Sequence, residues 1–203
     1  MAEIIVVHGP PGSGKSIHSE RLESEGLLGR SVDHVSAGDR LRAIRTGKIA
    51  SAYSDVVNPA PGQRILLDHA IMTGVVFEYI NQRSDDTLML VDGYPRFADA
   101  VNGFMEAAQA NNHALMGCVN LEVSKWVSLD RVLGRGTRSG EVDVSKTLAE
   151  KRYQEHLDFT LQAIGDLGRV VEVVNVDAER PMEVVWGSFC RAVLTLTGLK
   201  GVE

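Results

Sequence analysis

The chain has 203 residues, 44 % of them hydrophobic, and a formal net charge of −6. That length suits one domain with small insertions and supplies a sizeable core. The negative balance excludes general nucleic-acid binding, which needs a basic face, but leaves open small anionic ligands that respond to local clusters of charge.

In chain order, the run EIIVVH at 3–8 reads as a buried strand of a parallel sheet. No basic n-region or small-residue cleavage site surrounds it, so it is not read as a signal peptide, and no apolar run is long enough for a membrane span. A cytoplasmic, reducing location is the default expectation. The next residues, GPPGSGKS from Gly9 to Ser16, match G-x-x-x-x-G-K-[ST] and open a helix expected over 14–27. Glycines let successive backbone N–H groups turn inward around a phosphate, and the helix N-terminus adds positive potential. Gly9, Gly12, Ser13 and Gly14 are therefore candidate phosphate-cradling residues. Lys15 is expected to reach the β- and γ-phosphates, and the Ser16 hydroxyl can hold Mg²⁺.

A weaker strand, VDHVS at 32–36, leads into SAGDRLR at 36–42 and a helix expected over 37–47. Asp39 is the expected helix cap there, with Arg42 near the start of the helix. From 37 to about 66 the pattern is mostly helical with no strand signal, which marks a small helical insertion. A further helix is expected over 62–82. The strand at 87–92 ends in Asp92, placed as a ligand for a magnesium-bound water. Gly93, Tyr94, Pro95 and Arg96 follow, and Pro95 projects Arg96 over the sheet's C-terminal edge, where open α/β sheets bind ligands.

A helix over 97–111 and a strand over 114–121 come next, then a helix over 123–135 that places Arg131 and Arg135 on one face. Gly134, Gly136 and Gly140 weaken helix and mark a loop-like insertion, with Arg138 inside it. A long helix over 146–167 carries Arg152; a strand at 170–176 and a helix over 180–197 complete the chain. Arginines flanking a glycine-rich segment in a phosphate-loop protein point to a phosphate clamp. Cys118 and Cys190 show no pairing or metal spacing and read as buried thiols. The alternation as a whole predicts an α/β fold, helices on both faces of a parallel sheet.

Taken together, GPPGSGKS, SAGDRLR, GQRIL at 62–66, DGYPR, RVLGRGTRSGEVD at 131–143, KRYQEH at 151–156 and VNVDAERPMEVV at 174–185 resemble the adenylate kinase family of nucleoside monophosphate kinases. The pieces stand in the family's order along essentially the whole chain. The resemblance implies a P-loop three-layer αβα fold with a five-stranded parallel sheet. Its core is 1–36, 67–135 and 146–203, with a helical monophosphate-binding insertion at about 37–66 and a short lid at about 136–145. It implies ATP as co-substrate, Mg²⁺ held by Ser16 and Asp92 partly through water, nucleotides as the only partners, and a monomer. By resemblance Arg131 packs on the donor adenine, Arg135 holds donor phosphates and Arg152 bridges to the phosphoryl group in flight. Ser36, Ala37, Arg42, Gly93, Arg96 and Ala100 form the acceptor site, with Arg42 and Arg96 on its phosphate.

Four positions depart from the family pattern: Glu141 for an arginine, Val144 for a second acidic residue, and Ala37 with Ala100 for base-reading threonine and glutamine. A carboxylate about 6 Å from a phosphate charge costs on the order of 3 kcal/mol at an effective dielectric near 20, so Glu141 is expected to turn outward, with Arg138 serving in its place. Alanine has no hydrogen bond for a base edge, which implies relaxed or unusual base choice aided by Asp99 or Asn102. AMP is the default acceptor; a uridylate/cytidylate kinase and a weakly active nucleotide-binding regulatory module remain alternatives. The pairing of DGYPR with SAGDRLR argues against another small-metabolite kinase, and the absence of Asn-Lys-x-Asp against a GTPase.

Overall fold

A computed structural model of the chain describes residues 1–58, 68–83, 86–134 and 145–199. Strands β1 (Glu3–His8), β2 (Val32–Ser36), β3 (Leu88–Asp92), β4 (Ala114–Glu122) and β5 (Glu172–Asp177) form one sheet in the order β2-β3-β1-β4-β5. All its pairings are parallel. Alternation along the strands splits the core in two. Ile4, Val6, Met89, Val91 and Cys118 face the layer made by α4 (His69–Ile80), α5 (Ala98–Ala110) and α8 (Leu161–Leu167). Ile5, Val7, Leu88, Leu90, Val119 and Leu121 face α1 (Lys15–Glu25) and α9 (Met182–Thr197). The three-layer αβα architecture expected from the alternation is the one found.

Register decides what reaches the C-terminal edge. Val7 pairs with Asp92 and Asp92 with Ser36, so the start of the phosphate loop, the strand-end carboxylate and the start of α2 (Ala37–Arg45) stand in one row. On the other side His8 pairs with Asn120 and Asn120 with Asn175.

Several local expectations are corrected. Ser36, not Asp39, caps α2: its Oγ accepts from the Asp39 N–H at 3.3 Å, and Asp39 lies in the first turn. Serine at this position satisfies an orphan donor of the first turn. The stretch 37–58 is less helical than its pattern suggested, because turns over 46–53 separate α2 from the short α3 (Ser54–Val57). Ile44 and Val57 nevertheless bury against Val75 of α4, giving this segment a small core of its own. Helix α4 begins at His69, with Asp68 accepting from the Ile71 N–H at 2.8 Å; GQRIL at 62–66 lies outside the described residues. The helix expected over 146–167 runs as α7 (Lys146–Glu155), a π turn (His156–Thr160) and α8. A π turn widens the helix locally without ending it, so the apolar period hides it. Cys118 is buried and its thiol is pushed up to about 12 by burial, whereas Cys190 is only partly buried. The lid expected at 136–145 falls almost wholly outside the described residues. Among those residues no helix is long and apolar enough to cross a membrane.

Candidate active site

The phosphate loop needs its glycines. Gly9 has φ +146°, and a Cβ there would stand 2.5 Å from the Leu121 carbonyl oxygen; Gly12 has φ +76°, with the Ser128 carbonyl oxygen at 2.8 Å from such a Cβ. Both positions combine a left-handed backbone with a close neighbour, so no L side chain fits. Gly14 takes the N-cap of α1 in the left-handed region and offers no side-chain cap, which leaves the first N–H groups of α1 for a ligand. Helix α6 (Lys125–Gly134) buttresses the loop: Ser128 Oγ donates to the Pro11 carbonyl at 2.6 Å. Arg131, one turn further, donates to the Ala178 carbonyl at 2.8 Å and reaches the Gly12 carbonyl at 3.5 Å. That places Arg131 between the loop and the β5–α9 turn. Ser13 is buried, and its Oγ has no hydrogen-bond partner among the described residues.

Lys15 Nζ donates to the Gly9 and Pro10 carbonyls at 2.8 and 3.2 Å, folded across its own loop. Ser16 Oγ donates to Asp92 Oδ2 at 2.7 Å. Burial works to raise the Asp92 pKa, but the His34 imidazole, the Lys15 charge and the Ser16 hydroxyl outweigh it, and the carboxyl titrates below its ordinary value. His34 Nε2 stands 3.8 Å from Oδ2, near enough to support the charge and too far for a hydrogen bond. Asp92 is thus a buried, ionised carboxylate beside a hydroxyl. Among the described residues no cluster of three or more His, Cys, Asp or Glu side chains could hold a metal alone. A pair of hard oxygen donors instead fits Mg²⁺, which keeps several waters and takes phosphate oxygens for the rest of its shell.

Two histidines that the sequence reading passed over report the field of this site. His8, the last residue of β1, is fully buried and its pKa is lowered to about 3, first by burial and then by Lys15; Asp92 opposes the shift, and His156 and Arg96 add to it. His156, first residue of the π turn, is lowered to about 4 by burial, then Lys15, then Arg96. Lys15 from the loop and Arg96 from the β3–α5 turn therefore project onto the same buried pair. The signal was present in VVHGPP, where an imidazole ends an apolar strand beside a cationic loop. Both histidines stay neutral in the native protein while the unfolded chain takes up protons below pH 6.5. The unfolding free energy is accordingly expected to fall as pH drops from about 6.5 toward 4, and His8→Leu is expected to make that decline shallower in urea titrations over this range.

Arg96 is exposed and makes no hydrogen bond or ion pair with the described residues, and the Arg152 side chain likewise makes none. The turn carrying Arg96 is tied down by Tyr94, whose hydroxyl donates to the His69 carbonyl at 2.8 Å and lies 2.7 Å from Thr73 Oγ1. Gly93, at φ +74°, donates its N–H to the Val7 carbonyl at 3.2 Å. In SAGDRLR the two arginines divide. Arg40 is committed to α4, donating to the Val75 carbonyl and to Glu78 at 2.9 and 3.0 Å. Arg42 is exposed and pairs with Asp39 on its own helix. Ala37 and Ala100 are buried in the core cluster. Asp99 pairs with His69 at 3.1 Å. Asn102 lines a separate cavity with Met105, Gln109 and Val171. Arg135, Arg138, Glu141 and Val144 lie outside the described residues.

Comparison with known proteins bears on this arrangement. A family model described as an AAA domain matches residues 8–149. The chain is similar to an adenylate kinase of Stenotrophomonas maltophilia (strain R551-3), 30 % identical over 184 residues, covering 85 % of this chain and 92 % of the relative. It is similar also to adenylate kinases of Xanthomonas euvesicatoria pv. vesicatoria (strain 85-10), 27 % identical over 190 residues with 93 % and 98 % covered, and of Xanthomonas campestris pv. campestris (strain B100), 28 % identical over 182 residues with 89 % and 94 % covered.

Proposed function

The chain belongs to the adenylate kinase family and is a phosphotransferase of the nucleoside monophosphate kinase type, and from that premise we propose that it transfers the γ-phosphoryl group of ATP to a nucleoside monophosphate, with AMP as the default acceptor. The observation that carries this reading is electrostatic. Lys15 and Arg96, from two separate turns, both hold down the pKa of His8 and His156, and neither Arg96 nor the Arg152 side chain has a counter-ion among the described residues. Cationic side chains from separate elements around one buried histidine pair call for a polyanionic ligand.

In this mechanism the donor triphosphate lies on the loop N–H groups of 9–16, with its adenine against Arg131. Arg96 and Arg42 hold the acceptor phosphate, and α2–α3 form the acceptor-binding insertion. An acceptor phosphate oxygen attacks the γ-phosphorus while the bond to the β–γ bridging oxygen breaks, giving ADP and a nucleoside diphosphate. That oxygen is already ionised near neutral pH, since the second phosphate pKa is about 6; no general base is needed, and the neutral His8 and His156 are not asked to be one. Ser16 and Asp92 would hold Mg²⁺, partly through water, and the ion would supply positive charge against the polyphosphate. Lys15 leaves the Gly9 and Pro10 carbonyls to follow the moving group, and Arg152, with Arg135 and Arg138 from the lid segment, neutralises the equatorial oxygens. Closing the acceptor insertion and the lid excludes water, which would otherwise divert the phosphoryl group to hydrolysis.

The test is a coupled assay with ATP and Mg²⁺ against AMP, GMP, CMP and UMP. Turnover with AMP highest is expected. Preference for UMP or CMP would reassign the acceptor, and firm nucleotide binding without turnover of any monophosphate would replace the enzyme reading by a regulatory one.

A further inference from the structure

Helix α4 links the two arginines assigned to the acceptor phosphate. Near its N-terminus the Tyr94 hydroxyl fixes the Arg96 turn to the His69 carbonyl and to Thr73. Near its C-terminus Glu78 gathers the segment that carries Arg42. Glu78 Oε2 accepts from Arg40 Nη2 at 3.0 Å and from Ser51 Oγ at 2.7 Å, and Oε1 accepts from the Ala52 N–H at 2.7 Å. Among the described residues, every hydrogen bond that joins 46–58 to a residue outside 37–58 ends on this carboxylate. The apolar contact beside it is small: Ile44 and Val57 bury against Val75, and Tyr53 lies so close over Gly74 that a Cβ there would collide with its ring. Burial works to raise the Glu78 pKa, but the Ala52 N–H, the Ser51 hydroxyl and Arg40 outweigh it, and the carboxyl titrates below its ordinary value. An ionised acceptor makes these hydrogen bonds of the stronger, charge-assisted kind. Arg40 and Arg42 are about 200° apart around α2. The grip of Arg40 on α4 therefore turns Arg42 outward, and Arg42 is exposed.

We propose that Glu78 is a positioning residue for the acceptor: by anchoring Arg40, Ser51 and Ala52 to α4 it sets where Arg42 stands relative to Arg96, and so sets acceptor affinity without touching the nucleotide. The inference rests on the reading of α2–α3 as the acceptor-binding insertion and of Arg42 and Arg96 as phosphate ligands. The donor side is held by other contacts. Lys15 rests on the Gly9 and Pro10 carbonyls, Ser16 on Asp92 and Arg131 on the Ala178 carbonyl. Loss of the Glu78 anchor therefore separates the two substrates, acting on the acceptor and sparing ATP.

Calorimetric titration of the full chain with AMP and with ATP, alongside steady-state kinetics and urea unfolding curves, tests this. Glu78→Gln keeps the length and one carbonyl acceptor but sets an amide NH₂ against the donors of Arg40. It is expected to weaken AMP binding and raise the AMP KM by about tenfold or more, the scale of losing charge-assisted hydrogen bonds, and to leave ATP within about twofold. Ser51→Ala removes one donor and leaves Arg40 and the Ala52 N–H in place, so it tests the anchor with the fold least disturbed; the same acceptor-selective loss is expected in smaller degree. Equal weakening of AMP and ATP, or unchanged AMP affinity in both variants, would overturn the proposal. Turnover measured in parallel separates the two readings. An AMP-selective loss in a protein without kinase activity sinks the enzyme reading and leaves the anchor; normal wild-type turnover with an AMP KM unmoved by either substitution sinks the anchor and leaves the enzyme.

Discussion

Lys15→Ala is expected to lower kcat by on the order of a thousandfold, the scale of removing one preorganised cation or donor from a developing charge. The fold should survive, because the partners lost are the carbonyls of Gly9 and Pro10 in a partly exposed loop, worth about 1 kcal/mol or less each. A second readout does not depend on activity. Lys15 is the strongest charged neighbour lowering both His8 and His156, so its removal should raise both imidazole pKa values in a proton NMR titration. A variant with lost turnover and unmoved histidines would place Lys15 in the chemistry without the shared field inferred here. Unchanged turnover would remove it from the chemistry.

Arg152→Ala is expected to cost about a thousandfold or more in kcat, the effect of losing an arginine that meets transition-state charge. Its stability should stay within about 0.5 kcal/mol of wild type, since the side chain makes no hydrogen bond or ion pair with the described residues. Arg152→Lys is expected to recover only part of the rate: ammonium supplies the charge without the planar fork that grips two phosphate oxygens. Steady-state kinetics with a urea unfolding curve for each variant checks both halves. An Arg152→Ala enzyme that is destabilised by several kcal/mol but turns over normally would make Arg152 a structural residue and remove it from the site.

The alternation of apolar runs with helical patterns was enough to place all five strands with helices on both faces: β1 and β3 are buried and read as continuous apolar stretches, whereas the partly buried β2, VDHVS, gave the weaker signal. The phosphate loop was equally legible, since its geometry depends on glycines at fixed offsets. Contacts between distant segments were not. That β1 ends in an imidazole beneath Lys15, and that the π turn brings His156 to the same place, follows from sheet register and helix docking, which no local window contains. The capping of α2 falls to Ser36 and not Asp39 because β2 ends at Ser36 and α2 starts at Ala37, which sets the Asp39 N–H three residues on, within reach of the Ser36 hydroxyl. The meeting of Phe97 with Phe159 is of the same kind: each looks like an unremarkable surface phenylalanine until α5 and the π turn are brought side by side.

Cationic side chains from separate elements are expected to close around one oligophosphate. A crystal structure with a bisubstrate mimic, two nucleosides joined by a phosphate chain, measures that directly. The expected result places Lys15, Arg96 and Arg152 within hydrogen-bonding distance of the phosphate bridge, Arg42 turned from Asp39 toward the acceptor end, and Ser16 and Asp92 facing the donor phosphates. A mimic bound with Arg96 and Arg152 both directed away from the bridge would contradict it.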